Sequence, residues 1–289
     1  MSGNGMRVYI SIDMEGVSGL VRWADVTTRG IDYPRGRRFL TADVNAAVAG
    51  AFEGGATEVV VEENHGVEDL CNVLMDEVDP RCRVIRGAGR GGATTMAGLT
   101  EGTAVMLLVG HHARAGSRPG IMAHTVDYTN FRLVSLNGRP IGEPDLFAIR
   151  GGELGVPIGM VSGDQVVAEQ VHAVAPGAEA VIVKQALSNQ AADCIPPARA
   201  VGAIQGGARR AVERAGRGEF TPWTGDAAPY EIEVALRKPP GEAMMENLAQ
   251  LGEFEVAGAT VRTIAPDMDT GFRRIAYLGY ADRPGVVRY

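Results

Sequence analysis

The spacing of apolar residues changes several times along this chain, and each change marks an element. Val8 to Ile12 is a short apolar run that stops at Asp13-Met14-Glu15-Gly16, as expected of a buried strand running into a loop. From Thr41 to Gly55 the residues Val44, Ala47, Val48, Ala51 and Phe52 fall on one helical face, which predicts an amphipathic helix closed by Gly54-Gly55. A Val-rich strand over Glu58 to Glu62 follows, ending near Asn64-His65-Gly66. Val67 to Met75 reads as a helix or turn, and Arg83 to Ile85 as a brief strand. Ala104 to Val109 reads as a buried strand ending at Gly110-His111-His112. Strands alternating with helices predict a mostly parallel sheet covered by helices, an α/β fold.

The pattern then shifts. Phe131 to Leu136 and Arg139 to Gly142 flank Asn137-Gly138, a two-residue hairpin turn. A helix is expected from Pro144 to about Gly152, a strand over Val156 to Ser162, a helix over Asp164 to Val174 and a strand over Ala180 to Lys184. Pro196-Pro197 suggests a boundary. Residues 1–197 would be the α/β domain, and residues 198–289 a smaller C-terminal α+β unit placed in oligomer contacts. That unit would hold a helix over Ala198 to Ala215 and an irregular arm over Gly216 to Tyr230. Strands at Glu231 to Leu236 and Phe254 to Thr263 would flank a helix from Glu242 to Leu251. No internal repeat or low-complexity segment is present.

Composition narrows the functional classes. With 35 Asp and Glu against 28 Lys and Arg, a net charge of -7 and a pI near 5.3, the surface has the wrong sign for a phosphate backbone, so nucleic acid is not an expected partner. No window approaches the roughly 18 apolar residues of a membrane span, and Met1 to Gly5 lacks a signal peptide's basic and apolar regions, so a cytoplasmic protein is expected. Cys71, Cys82 and Cys194 are too few and scattered for a disulfide framework or a CxxC knuckle. The 39 glycines against 7 Phe, 7 Tyr and 2 Trp suit tight βα turns rather than an aromatic-rich sandwich.

In an open parallel sheet the ligand crevice lies beyond the carboxyl ends of the strands. Asp13 and Glu15 follow the first strand, His65 the second, and His112 the strand ending at Val109, while Glu143 directly follows the hairpin. Two imidazoles and three carboxylates are the ligand chemistry of zinc or a similar divalent ion, one ligand more than a single tetrahedral site uses. Two ions sharing a carboxylate would use all five. In extended backbone Asp-x-Glu points both side chains to one face, so one can bridge while the other binds terminally. Taken singly, each has a plainer reading: a helix cap, a satisfied imidazole, a solvated Glu. His124, in the Gly/Pro loop Pro119 to Thr125, is a candidate general acid or oxyanion donor. His111 is expected to point away from His112 and to be structural, and His172 to lie on a helix surface. Gly87 to Gly92 satisfies G-x-G-x-x-G, but no adequate helix follows and no acidic residue ends the next strand, so a dinucleotide site is not expected. There is no G-x-S-x-G elbow for serine hydrolysis.

Five motifs in order carry a family resemblance: Ser11 to Gly19 (SIDMEGVSG), Asn64-His65, Gly110 to Ala115 (GHHARA), Pro119 to His124 (PGIMAH) and Asn137 to Glu143 (NGRPIGE). Together they resemble the DppA-type zinc D-aminopeptidases, cytoplasmic self-compartmentalising metallopeptidases, from about Met6 to the C-terminus and more weakly after Ala198. The resemblance implies a two-zinc site with ligands at Asp13, Glu15, His65, His112 and Glu143, Asp13 bridging, and His124 as the catalytic histidine. It implies a homodecamer whose active sites face a chamber, and removal of amino-terminal D-residues from short peptides. Lys184 matches a family Lys and is expected to orient substrate.

Phe147 stands where the family has a polar Asn, Glu62-Glu63-Asn64 replaces an Asp-Ser approach, and Ser162-Gly163-Asp164-Gln165 lacks one acid of a Gly-Asp-Asp. None of these touches the ligand positions. Phe147 is read as a substrate-pocket residue, which opens an alternative: an amidase or lactam or ester hydrolase using the same metals on a non-peptide substrate. A non-enzymatic binding protein and a nicotinamide enzyme are the remaining classes.

Overall fold

A computed structural model describes residues 5–66, 70–88, 90 and 96–282. In chain order the elements are β1 (Arg7–Ile12), α1 (Trp23–Val26), α2 (Tyr33–Glu53), β2 (Glu58–Glu63), β3 (Arg83–Ile85), β4 (Thr103–Val109), β5 (Phe131–Leu136), β6 (Arg139–Pro140), α3 (Glu143–Leu154), β7 (Ile158–Asp164) and α4 (Gln165–Val174). Then follow β8 (Glu179–Ala186), β9 (Ala192–Cys194), α5 (Pro197–Gly216), β10 (Tyr230–Leu236), α6 (Glu242–Leu251), β11 (Glu255–Ala257), β12 (Thr260–Ala265) and α7 (Met268–Leu278).

The first sheet has seven strands in the order β3-β2-β1-β4-β7-β8-β9, all parallel except the edge strand β9. This is the helix-covered, mostly parallel sheet that the sequence predicts. Alternation along β1 divides the interior: Val8, Ile10 and Ile12 pack into a core with α2 and α5, whereas Tyr9 packs on the other face with residues of α3, α4 and the second sheet. That second sheet is antiparallel, five-stranded, and ordered β11-β12-β10-β5-β6.

Several boundaries move. α2 begins at Tyr33, well before Thr41, with Pro34 in its first turn, where a missing N–H costs nothing. Phe254 to Thr263 is a hairpin, β11 and β12, because Gly258 turns the chain at φ +63°. Within Val67 to Met75, residues 67–69 lie outside the described residues, and 70–75 form turns and bends rather than a helix. Gly89, Gly91 and Gly92 of the glycine-rich string also lie outside them.

The two sheets do not divide the chain at residue 197. β5 and β6 complete the second sheet from far upstream, and α5, downstream, packs against α2 on the first sheet. Among the described residues no helix is long and apolar enough to cross a membrane.

Candidate metal centre

From β1 the chain steps outward to β2 and β3, then returns across β1 to β4, so the strand order reverses between β1 and β4. Ligand crevices open at such a switch point. The loops leaving these two strands cross there in direct backbone contact: Asp13 N–H donates to Val109 O at 2.9 Å, and Gly16 N–H to Gly110 O at 2.7 Å. A Cβ at Gly16 would lie 2.1 Å from His111 O, and one at Gly110, whose φ is +72°, 2.2 Å from Asp13 O. Glycine at both positions is what lets the two acid- and imidazole-bearing loops meet.

Asp13, Glu15 and His65 form one buried group, with His65 Nδ1 at 3.2 Å from Asp13 Oδ1 and 3.1 Å from Glu15 Oε2. The other ring nitrogen, Nε2, is 2.8 Å from Val26 O. A carbonyl only accepts, so Nε2 carries the proton and Nδ1 faces the carboxylates. His112 is oriented the opposite way: Nδ1 donates to Ala113 O at 3.0 Å, and Nε2 lies 3.3 Å from Asp13 Oδ2 and 3.4 Å from Glu143 Oε1. These two contacts are too oblique for hydrogen bonds, which leaves His112 Nε2 buried without a hydrogen-bond partner. Asp13 thus stands between two groups, one carboxylate oxygen toward each.

Glu143 is the first residue of α3, where the helix dipole favours an anion. Asn64 Nδ2 donates to its Oε2 at 2.9 Å and Val126 N–H to its Oε1 at 2.9 Å. Burial alone would raise the Asp13 and Glu143 pKa values. The His112 and His65 imidazoles outweigh it and hold Asp13 well below the carboxylate range, and His112 brings Glu143 down to about 2. Burial would conversely favour neutral imidazoles, yet Glu15 and Asp13 hold His65, and Glu143 and Asp13 hold His112, well above the usual value. The carboxylates therefore demand positive charge at these two rings. An orphaned buried nitrogen, three carboxylates and two imidazoles fit a pair of divalent cations.

His124 stacks on His112, centroids 3.9 Å apart and planes 13° apart, and donates from Nδ1 to Met122 O at 2.9 Å. Burial, reinforced by His112, lowers its pKa, so the ring is neutral with Nε2 bare. Its ring atoms also come within ligand range of His112 and Glu143. Trp23 and Tyr128, stacked at 4.2 Å, meet the His124 ring edge-on. All three line a cleft of about 730 Å³ together with Asp13, Glu15, His65 and Glu143.

The structure therefore brings Asp13, Glu15, His65, His112, Glu143 and His124 together. It places Lys184 and Phe147, expected as substrate contacts, away from the cleft lining. Lys184 is buried under the β1 loop with Nζ donating to three backbone carbonyls, and burial lowers its pKa to about 8. Phe147 is fully buried in the core, its ring edge-on to His111 at 5.5 Å. His172 lies on α4 with Nε2 3.0 Å from Ala178 O.

Sequence reasoning did not foresee how close His111 lies to the ligand candidates. It is buried, 3.2 Å from Ser11 Oγ through Nε2, with Nδ1 unpartnered and within ligand range of Asp13 and Glu143. Alternation fails as a guide because β4 ends at Val109 and Gly110 turns the backbone left-handed. Asn72, also missed, is a buried hub: it donates to His65 O at 2.9 Å and to Glu63 Oε2, and accepts from Tyr33 Oη at 2.8 Å.

Comparison with known proteins agrees with this geometry. Residues 6–277 match the sequence profile of a family described as D-aminopeptidase. A D-aminopeptidase of Bacillus subtilis (strain 168) is 33% identical over 264 residues, covering 91% of this chain and 93% of that protein. Among solved structures, the Zn-dependent D-aminopeptidase DppA from Bacillus subtilis, described as a self-compartmentalizing protease, is similar with a TM-score of 0.85. The identity is 28%, over 97% of this chain and 99% of that one. On a sequence match spanning nearly its whole length and a fold shared from end to end, this chain belongs to the D-aminopeptidase family.

Proposed function

We propose that this chain is a zinc metallopeptidase that removes amino-terminal D-residues from short peptides, with two zinc ions per subunit. The observation that carries the reading is Asp13, whose two carboxylate oxygens face His65 on one side and His112 on the other. Asp13 would be shared, Glu15 and His65 would complete one half of the site, and His112 and Glu143 the other. Bound zinc supplies Lewis acidity, polarising the scissile carbonyl and lowering the pKa of the attacking water. The chain's own residues do the rest. His65 and His112 each present a lone pair inward because the opposite ring nitrogen is tied to a carbonyl. Asn64 and Val126 hold Glu143 in line. His124 is neutral with Nε2 bare beside the site, positioned to take a proton from the attacking water and return it to the leaving amine.

The non-peptide alternative rested on Phe147, and that ring is buried behind His111 rather than lining the cleft. The same proposal makes the protein a cytoplasmic homo-oligomer, a decamer with its clefts facing a chamber, supported by the family resemblance and by the self-compartmentalizing description of DppA. The test is amine release by zinc-loaded protein from D-Ala-D-Ala and L-Ala-L-Ala, each with a chelator control. Chelator-sensitive cleavage of the D-peptide alone is expected; no cleavage of either by protein shown to hold zinc would overturn the assignment.

A further inference from the structure

Lys184 carries an unusual burden for a residue outside the cleft. Its side chain is 1% exposed, and Nζ donates to Glu15 O at 2.6 Å, Val17 O at 2.8 Å and Leu20 O at 2.6 Å. An ammonium has three protons, and all three go to one loop. That loop, residues 13–20, carries Asp13 and Glu15. Two further anchors reach it from other elements: Asp43 of α2 accepts the Ser18 backbone N–H, and Ser18 Oγ donates to Ile195 O at 2.7 Å. The buried carboxylates acting on the ammonium are Asp164, Asp43 and that of Glu15 itself; Asp164 is occupied by the N–H groups of Ile121, Val166 and Val167.

We propose that Lys184 is a positioning residue for the metal centre, fixing the backbone of residues 15–20 so that Asp13 and Glu15 are aligned before metal arrives. This rests on the two-zinc reading above. The warrant is geometric. A loop between a strand and a helix has many conformations, and ordering it costs backbone entropy. If that cost fell on metal binding, zinc affinity would drop accordingly. Three carbonyls converging on one buried cation impose the order during folding instead, and Glu15 O is one of them, so the clamp reaches a ligand residue directly. Leu20 and Val17 bury their side chains in the core beside it, closing the loop from both ends.

The inference separates from simple stabilisation by what it moves. Lys184→Met fills the volume and removes every donor. The expected result is a zinc affinity, by chelator competition, weakened at least tenfold, in the range of lost outer-shell contacts at metal sites. Lys184→Arg keeps the charge but cannot bring three N–H groups to one point, and is expected to fall between the two. A Lys184→Met protein with a lowered melting temperature and unchanged zinc affinity would make the residue merely structural and overturn the proposal. Should Lys184→Met not fold, amide hydrogen exchange on chelator-stripped wild-type protein decides it: amides of residues 13–20 are expected to be protected before zinc is added, and free exchange that ends only on zinc addition overturns it. Wild-type protein that takes up no zinc would overturn the metal reading itself, and is seen before any variant is made.

Discussion

The two halves of the metal centre use the same residue types and are held in different ways. In the first, Asp13, Glu15 and His65 hang from loops anchored by interior contacts: Lys184 under residues 15–20, Asn72 on the His65 carbonyl, Val26 O on the His65 ring. In the second, Glu143 relies on one Asn64 amide and one N–H, and His112 lies against His124, a residue of the cleft wall. Even the imidazoles face inward through opposite nitrogens. Interior side-chain anchors are more numerous in the first half, and the second borders His124, the residue proposed to move protons.

The change with the largest effect removes the residue both halves share. Asp13→Ala is expected to lose both zinc ions and all activity, measured by metal analysis and amine release; two ions retained would show that Asp13 does not bridge. His124→Ala tests the division itself. Zinc should stay at two per chain while kcat drops about 10²–10⁴-fold, the range of a lost general acid–base group. Loss of metal would make His124 a ligand instead. Proton competition comes next. The carboxylates keep His65 and His112 protonated in metal-free protein to well above the ordinary imidazole value of 6.5, so each ion must displace a proton. Apparent affinity should therefore rise with pH, up to about tenfold per unit for each ion, and fall as pH drops. Titrations at several pH values check this, and a flat profile would contradict it. Asn64→Ala should weaken only the ion beside Glu143, by about 10–100-fold, leaving the first half unaffected. Smallest is Phe147→Leu: about 1–2 kcal/mol of stability from a partly emptied core position, with the D over L preference unchanged. A changed preference would restore Phe147 to the substrate site.

The strand ends were legible in the sequence because β1, β2 and β4 are mainly apolar runs followed by acids and imidazoles. The fold class followed from the same alternation. What was hidden depended on contacts that sequence spacing does not encode. The closeness of His111 to the ligand candidates was not foreseen because Gly110 ends the period of two. Lys184 was read as a substrate contact because strand alternation gives no sign of the three carbonyls beneath it, and the β7–β8 register shifts at Asp164 and Lys184. Phe147 was read from its sequence position near Glu143, but a turn further along α3 its ring packs in the core against His111. The interleaving of the two sheets was hidden too, since a hairpin signal at Asn137-Gly138 does not say which sheet receives it.

That interleaving has a consequence for when the protein becomes active. Glu143 enters the site directly after β6, a strand of the antiparallel sheet, whereas Asp13, His65 and His112 leave strands of the parallel one. The catalytic constellation is thus the seam between two separately built layers. A half-folded chain, with only its parallel sheet formed, lacks Glu143 in place and cannot complete the site. Completion of the site therefore requires both sheets to be in place.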